Sequence, residues 1–264
     1  GKLTNLEIKK IKHLAKKNKI NFVDTANAYG DCEKRIGDLN FKEFNLITKL
    51  PATKPSSNVS EWVRSSIKNS LKKLKVSSLY CLHVHNTKYL LGKNGSKIYS
   101  CLINAKNKGL IKKIGVSIYT IHELNKIIKK FKIDLVLLPF NIFDQRAIKF
   151  KTLEKLKRLN IEIHARSVFL QGLLTIDKNK IPQKFNRYKK YFYNLDNLSK
   201  NLKKSKIEIC LKYALSNPFI DKVILGVDSS KQFKDLISKS GFIEIDTKKL
   251  DASKEINLIN PSKW

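Results

Sequence analysis

The 264-residue sequence contains no methionine, only 4 cysteines, and 22 acidic residues against 54 basic ones. The cysteines (Cys32, Cys81, Cys101 and Cys210) are widely separated and form neither a C-x-x-C pair nor a Cys/His metal spacing. That excludes the common zinc-ribbon and redox motifs and reads as free thiols in a reducing cytoplasm. No apolar run approaches the roughly 18 residues of a membrane-spanning helix, and no signal-peptide pattern is present. Nor is there a G-x-G-x-x-G turn, which an open, doubly wound dinucleotide-binding sheet would place after an early strand. With no methionine even at position 1, the expectation is an N-terminally truncated sequence.

The formal charge is +32, and only 6 of the 54 basic residues are arginine. The lysines run along the whole length and form no concentrated stripe. Specific nucleic-acid recognition would favour arginine and a clustered footprint. Long lysine side chains instead suit solvated helix faces, with their stems lying on apolar surface. A general polyanion binder is therefore ranked last among the functional readings.

What is present is alternation. Short apolar runs occur at 20–25, 44–49, 78–85, 113–117, 134–140, 161–167 and 222–226. Between them lie helix-like segments at 4–18, 58–75, 120–131, 146–159, 205–216 and 229–239, several opening on Ser or Thr as candidate caps. In 58–75, Val59, Trp62, Val63, Ile67, Leu71 and Leu74 fall on one face. The irregular stretch 176–200, with its Tyr/Phe group, reads either as an excursion over the barrel mouth or, as preferred, as a helix with an aromatic core face. Strands apolar enough to be buried on both sides, separated by helices, predict a parallel sheet covered by helices. The fold expected is α/β, a (β/α)8 TIM barrel in one domain over 1–264. Seven strands and a leading helix are visible, so the barrel appears to lack its first strand.

In such a barrel the chemistry sits where strands end. The first visible strand ends at Asp24, and its loop carries Tyr29. The second ends at Lys49 and the third at His85. Alternation puts Cys81, His83 and His85 on one face of the third. A lone tyrosine, with a pKa near 10, is a poor proton donor at neutral pH. A neighbouring ammonium favours its phenolate. An aspartate can hold the lysine, and a histidine can orient a substrate oxygen. The set suits protonation of an alkoxide as hydride arrives at a carbonyl carbon.

These segments resemble the aldo-keto reductases. "NFVDTANAYGDCEKRIG" is similar to the family's D-T-A-x-x-Y-G-x-x-E-x-x-[LIV]-G signature. "LITKL", "GLIKKIGVSIY", "LPFNIFDQR", "HARSVFLQGLL" and "ALSNPFIDKVILGVDSSKQF" resemble later family segments. The resemblance implies carbonyl reduction with NADPH, or NADH in its place, without metal, on a small-molecule carbonyl substrate. It assigns catalysis to Asp24, Tyr29 and Lys49. For the histidine, "LYCLHVH" offers His83 and His85, and spacing from Leu74 favours His85. Cofactor binding is carried over to Ser117, Arg166, Gly226, Ser229, Lys231 and Gln232. Ile118 and Leu137 replace the family's carboxamide-binding Asn and Gln. Gly226 and Gln232 stand where basic residues often grip a 2′-phosphate, with Lys231 the nearest substitute. The wording of "RSVFLQG" and "GVSIY" is similar to bacterial members linked to sugar metabolism, which makes sugar-like carbonyls the expected substrates. The alternative reading is a catalytically weak dinucleotide-binding or interaction protein on the same barrel.

Overall fold

The computed structural model describes residues 3–53 and 58–264. The chain falls into two compact units, residues 1–137 with 228–230, and residues 138–227 with 231–264.

The first unit opens with α1 (Asn5–Lys17). The Thr4 hydroxyl accepts the Glu7 N–H at 3.2 Å, and Lys16 and Lys17 sit at the negative end of the helix dipole. Strands β1 (Phe22–Asp24), β2 (Asn45–Lys49), β3 (Leu79–Val84), β4 (Ile111–Ser117) and β5 (Leu135–Pro139) follow. They pair in sequence order, all parallel. A doubly wound sheet would reverse its strand order between the halves; no reversal occurs from β1 to β5. Leu46, Ile47, Cys81, Leu82, Val116 and Leu135 are buried, which is why these strands read as continuous apolar runs.

The register fixes the faces. Asp24 pairs with Ile47, Lys49 with His83, His83 with Gly115, and Ser117 with Leu137. Paired residues on parallel strands point to the same side, and alternate residues repeat it. Asp24, Lys49, His83 and Ser117 therefore share one face of the sheet.

Helix α2 (Cys32–Asp38) was not among the expected helices. A seven-residue helix is marginal alone and depends on tertiary packing. Its Gly37 meets α3 (Val59–Leu74) so closely that an added Cβ would lie 2.1 Å from the Lys73 carbonyl oxygen and 2.8 Å from the Leu74 carbonyl carbon. In α3 the expected face is realised by buried Val59, Val63, Ile67 and Leu74, with Trp62 and Leu71 half-buried. Asn58 caps it by accepting the Glu61 N–H at 3.2 Å. Two further helices, α4 (Thr87–Leu91) and α5 (Gly95–Asn107), were likewise not anticipated. Helix α6 (Ile121–Lys130) begins with a capping box between Thr120 and Glu123.

In the second unit the expected helix at 146–159 is two, α7 (Arg146–Lys149) and α8 (Thr152–Arg158). Lys151 between them has φ 49°, a left-handed conformation that ends one helix before the next begins. Strand β6 (Glu162–Arg166) pairs in parallel with β7 (Lys222–Val223), which is shorter than the apolar run suggested. The Tyr/Phe stretch is indeed a helix, α9 (Lys189–Leu202), burying Tyr191, Phe192 and Leu195. Phe143 packs against its rings, 5.4 Å from Phe192 and 5.8 Å from Tyr191. Helices α10 (Lys206–Leu215), α11 (Ser230–Ser238) and α12 (Ile256–Ile259) complete the order. Among the described residues no helix is long and apolar enough to cross a membrane.

Two stability predictions follow from α1 and α2. Gly37→Ala gains about 1 kcal/mol of helix propensity but forces a Cβ onto backbone. Overpacking of that kind costs about 1–3 kcal/mol, so the urea midpoint should fall. Separately, Glu7 Oε2 accepts the Ser230 N–H at 2.8 Å, which, with the Ser230 hydroxyl and Lys10, lowers its pKa from 4.5 to about 2. A depressed carboxylate contributes stability that is present above its unfolded value and lost as pH falls through the folded one. The Tm difference between wild type and Glu7→Gln should be largest above pH 4.5 and shrink as pH falls to about 2.

Candidate active site

At the end of β2 a lysine is taken out of water. The Lys49 side chain is 2% exposed and that of Asp24 is 8% exposed. Burial of an ammonium is costly unless it is paired and hydrogen-bonded. Lys49 Nζ meets both conditions: it donates to Asp24 Oδ1 at 2.5 Å and to the Thr25 carbonyl oxygen at 2.8 Å. Both acceptors come from the end of β1, directly beside β2 in the sheet.

The same ammonium lies 5.4 Å from the centroid of the Tyr29 ring, within cation–π range. Tyr29 stands on the loop after β1 and is 49% exposed, in contrast to the buried pair beneath it. The loop folds back on itself: the Tyr29 N–H donates to the Ala26 carbonyl at 3.0 Å, and the Tyr29 carbonyl accepts from the Cys32 N–H at 3.2 Å. Asp24, Tyr29 and Lys49 are thus brought together.

Of the two histidines, His83 is the one level with Lys49 in the register, and it is fully buried. His85 lies one residue past the end of β3 and is half-buried. Spacing from Leu74 favoured His85; strand pairing aligns His83 instead. Room for the His83 ring comes from Gly115 on β4, a residue that sequence reasoning missed. A Cβ there would lie 2.4 Å from His83 Nδ1 and 2.6 Å from Cys81 Sγ. The available signal was a glycine inside a strand, which marks close approach.

The candidate cofactor residues are dispersed. In the first unit Ser117 is buried at the end of β4 opposite Leu137, and Ser229 is half-buried just before α11. In the second, Arg166 ends β6, its Nη1 donating to Ser167 Oγ at 3.1 Å. Gly226 is exposed, and a Cβ there would meet nothing within 4 Å, so no steric demand calls for glycine. Lys231 and Gln232 are exposed in the first turn of α11. The "FNIFDQR" residues are structural: Asn141 Oδ1 accepts the Phe143 and Asp144 N–H groups, and Arg146 pairs with Asp144 at 2.6 Å.

Comparison with known proteins gives the family and the fold. The model of the aldo/keto reductase family matches residues 2–258, and the chain belongs to that family. It is therefore an NAD(P)H-dependent oxidoreductase. A curated relative, the "uncharacterized oxidoreductase YqkF" of Bacillus subtilis, is 26% identical over 83% of this chain and 77% of its own length. Among solved structures, the holo form of aldo-keto reductase AKR11C1 from Bacillus halodurans superposes with a TM-score of 0.73 at 18% identity, covering 97% of this chain and 88% of that one. Glycerol dehydrogenase AKR11B4 from Gluconobacter oxydans gives 0.73 at 17% identity, covering 97% and 87%. These likenesses show the fold, that of the (β/α)8 barrel aldo-keto reductases.

The residues at these strand ends have hydrogen-bonding capacity of the kind a polar group on a dinucleotide would use. Asp24 Oδ2 is buried with no hydrogen-bond partner among the described residues. It can accept from a hydroxyl or amide on a bound molecule. Ser117 supplies a buried hydroxyl on the same face, beside apolar Leu137 and Ile118.

The Gly115 packing gives a prediction. Gly115→Ala should displace the His83 imidazole, since Cys81 and His83 are both fully buried and have no open side to move into. The expected results are shifted His83 ring resonances by NMR and a stability loss of about 1–3 kcal/mol.

Proposed function

We propose that the chain reduces aldehydes or ketones, with Tyr29 as general acid, Lys49 and Asp24 as its electrostatic support, and a β3 histidine orienting the carbonyl. The observation that carries this reading is the buried Asp24–Lys49 pair, with its ammonium 5.4 Å from the Tyr29 ring centroid. The bound cofactor supplies hydride. Tyr29 donates its phenolic proton to the substrate oxygen as charge develops there. The Lys49 ammonium stabilises the phenolate left behind, and Asp24 keeps that ammonium at the strand end.

For the histidine we propose His83 in place of His85, because the register sets His83 level with Lys49. For the cofactor, Ser117 and Arg166 are proposed at the nicotinamide end. Gly226, Ser229, Lys231 and Gln232 are proposed at the other end. With no arginine among those four, NADH is proposed as an acceptable donor beside NADPH. Sugar-like carbonyls are the proposed substrates, on the resemblance of "RSVFLQG" and "GVSIY" to sugar-metabolising members.

The test is loss of reduced-nicotinamide absorbance with a carbonyl panel, sugar-like aldehydes included. Tyr29→Phe should lower kcat by about 10²–10⁴-fold, the usual worth of a general acid, while dinucleotide binding, read by fluorescence quenching, is kept. His83→Ala should lower kcat more than His85→Ala. Equal turnover by wild type and Tyr29→Phe would overturn the role given to Tyr29.

A further inference from the structure

Glu33 is a carboxylate with only 2% of its surface exposed, in the first turn of α2, and the mechanism above makes no use of it. Its Oε1 accepts two hydroxyls, from Thr48 on β2 at 2.7 Å and from Ser70 on α3 at 2.8 Å. Its Oε2 faces Lys73 Nζ at 3.7 Å. One carboxylate thus joins three elements at a point sealed from water.

The neighbours of that point give it meaning. Thr48 is covalently next to Lys49. Glu33 is next to Cys32, whose N–H donates to the Tyr29 carbonyl at 3.2 Å. Through its bonds to Thr48 and Ser70, Glu33 anchors the first turn of α2. Four residues on, and on the same helix face, Gly37 lets α2 settle against the α3 backbone.

We propose that Glu33 is a positioning residue: by tying the helix that starts after the Tyr29 loop to the strand that ends in Lys49, it sets the distance between phenol and ammonium. This rests on the reading of Tyr29 as the proton donor. Misplacing reacting groups by about 1 Å costs about 10²-fold in rate. A loosened α2 would therefore appear in kcat before it appears in binding.

The experiment compares Glu33→Leu, Glu33→Gln and Thr48→Val with wild type and Tyr29→Phe. Glu33→Leu should lower kcat by about 10–100-fold, with dinucleotide affinity by fluorescence quenching and the carbonyl KM unchanged. Glu33→Gln should recover most of that loss, because both hydroxyls bond to one oxygen that a carboxamide retains. Thr48→Val should lower kcat in the same direction. The double variant Glu33→Leu/Thr48→Val should be no slower than Glu33→Leu, as residues acting through one link are not additive. If Glu33→Leu does not fold, Thr48→Val decides alone.

Wild-type kcat in Glu33→Leu or in Thr48→Val would overturn the proposal. So would a Glu33→Gln as slow as Glu33→Leu, or a lowered Tm with unchanged kcat. An inactive wild type, or a Tyr29→Phe as fast as wild type, would overturn the Tyr29 reading and this proposal with it. An active wild type sensitive to Tyr29→Phe but indifferent to Glu33 and Thr48 would overturn this proposal alone.

Discussion

The buried ion pair between Lys49 and Asp24 is the constraint around which the first unit is arranged. With both side chains almost wholly out of solvent, each makes the other tolerable, and removing either would leave an uncompensated buried charge, a loss of about 3–5 kcal/mol. Such a pair adds little net stability over an apolar substitute. It does hold a positive charge fixed in a place of low dielectric, where its effect on a nearby phenol is stronger than in water. The third participant, the Thr25 carbonyl oxygen, belongs to the backbone and cannot rotate away. The ammonium is therefore held by a strand end and not by a flexible surface partner.

Most other charged pairs here are of a different kind. Lys34–Asp38 and Arg64–Glu61 are exposed helix pairs, screened by solvent and of little weight in stability. The lysine excess is mainly a solvated coat. What organises the interior is a small set of buried polar groups and close approaches: Glu33 with Thr48 and Ser70, Gly37 against α3, Gly115 beneath His83. Thr48 is the residue before Lys49, and Gly115 is paired with His83. The missing side chains at 37 and 115 are what let α3 approach α2 and the His83 ring approach β4.

How far the sequence was legible follows from the range of the interactions involved. Strands β2 to β6 could be read because their burial makes each a near-continuous apolar run, while β1 and β7, only partly buried, were legible from the short apolar runs that contain them. Long helices such as α3 and α9 could be read from periodicity and caps. Helix α2 was hidden, since its seven residues carry a buried glutamate and glycine where a periodic apolar face would be expected. The split between α7 and α8 depends on the backbone at Lys151, which no side-chain pattern announces. The choice between the two histidines shows the same limit. Counting along the chain measures contour, whereas the level of a residue is set by pairing with the next strand, and the pairing puts Lys49 beside His83. The signature residues Asp24, Tyr29 and Lys49 were legible as a set, while Gly115 gave only the faint signal of a glycine in a strand.

The five-residue interval between Asp24 and Tyr29 also has a physical reason. Asp24 must end a strand, because only there can a carboxylate lie beside the terminal residue of the neighbouring strand without unpairing the sheet. Tyr29 lies off the strand, half-exposed, which is the position that the proton-donor role proposed for it would need. Thr25 and Ala26 stay buried, and the chain then turns so that the Tyr29 N–H reaches the Ala26 carbonyl. Five residues are enough to leave the strand, turn, and bring a half-exposed ring back over the ammonium it started beside. A shorter link would leave the ring on the strand axis, while a longer one would add loop freedom and loosen the placement of the ring over the ammonium. The interval divides two environments: the acid and the ammonium are fixed and dry, and the phenol alone is open to solvent.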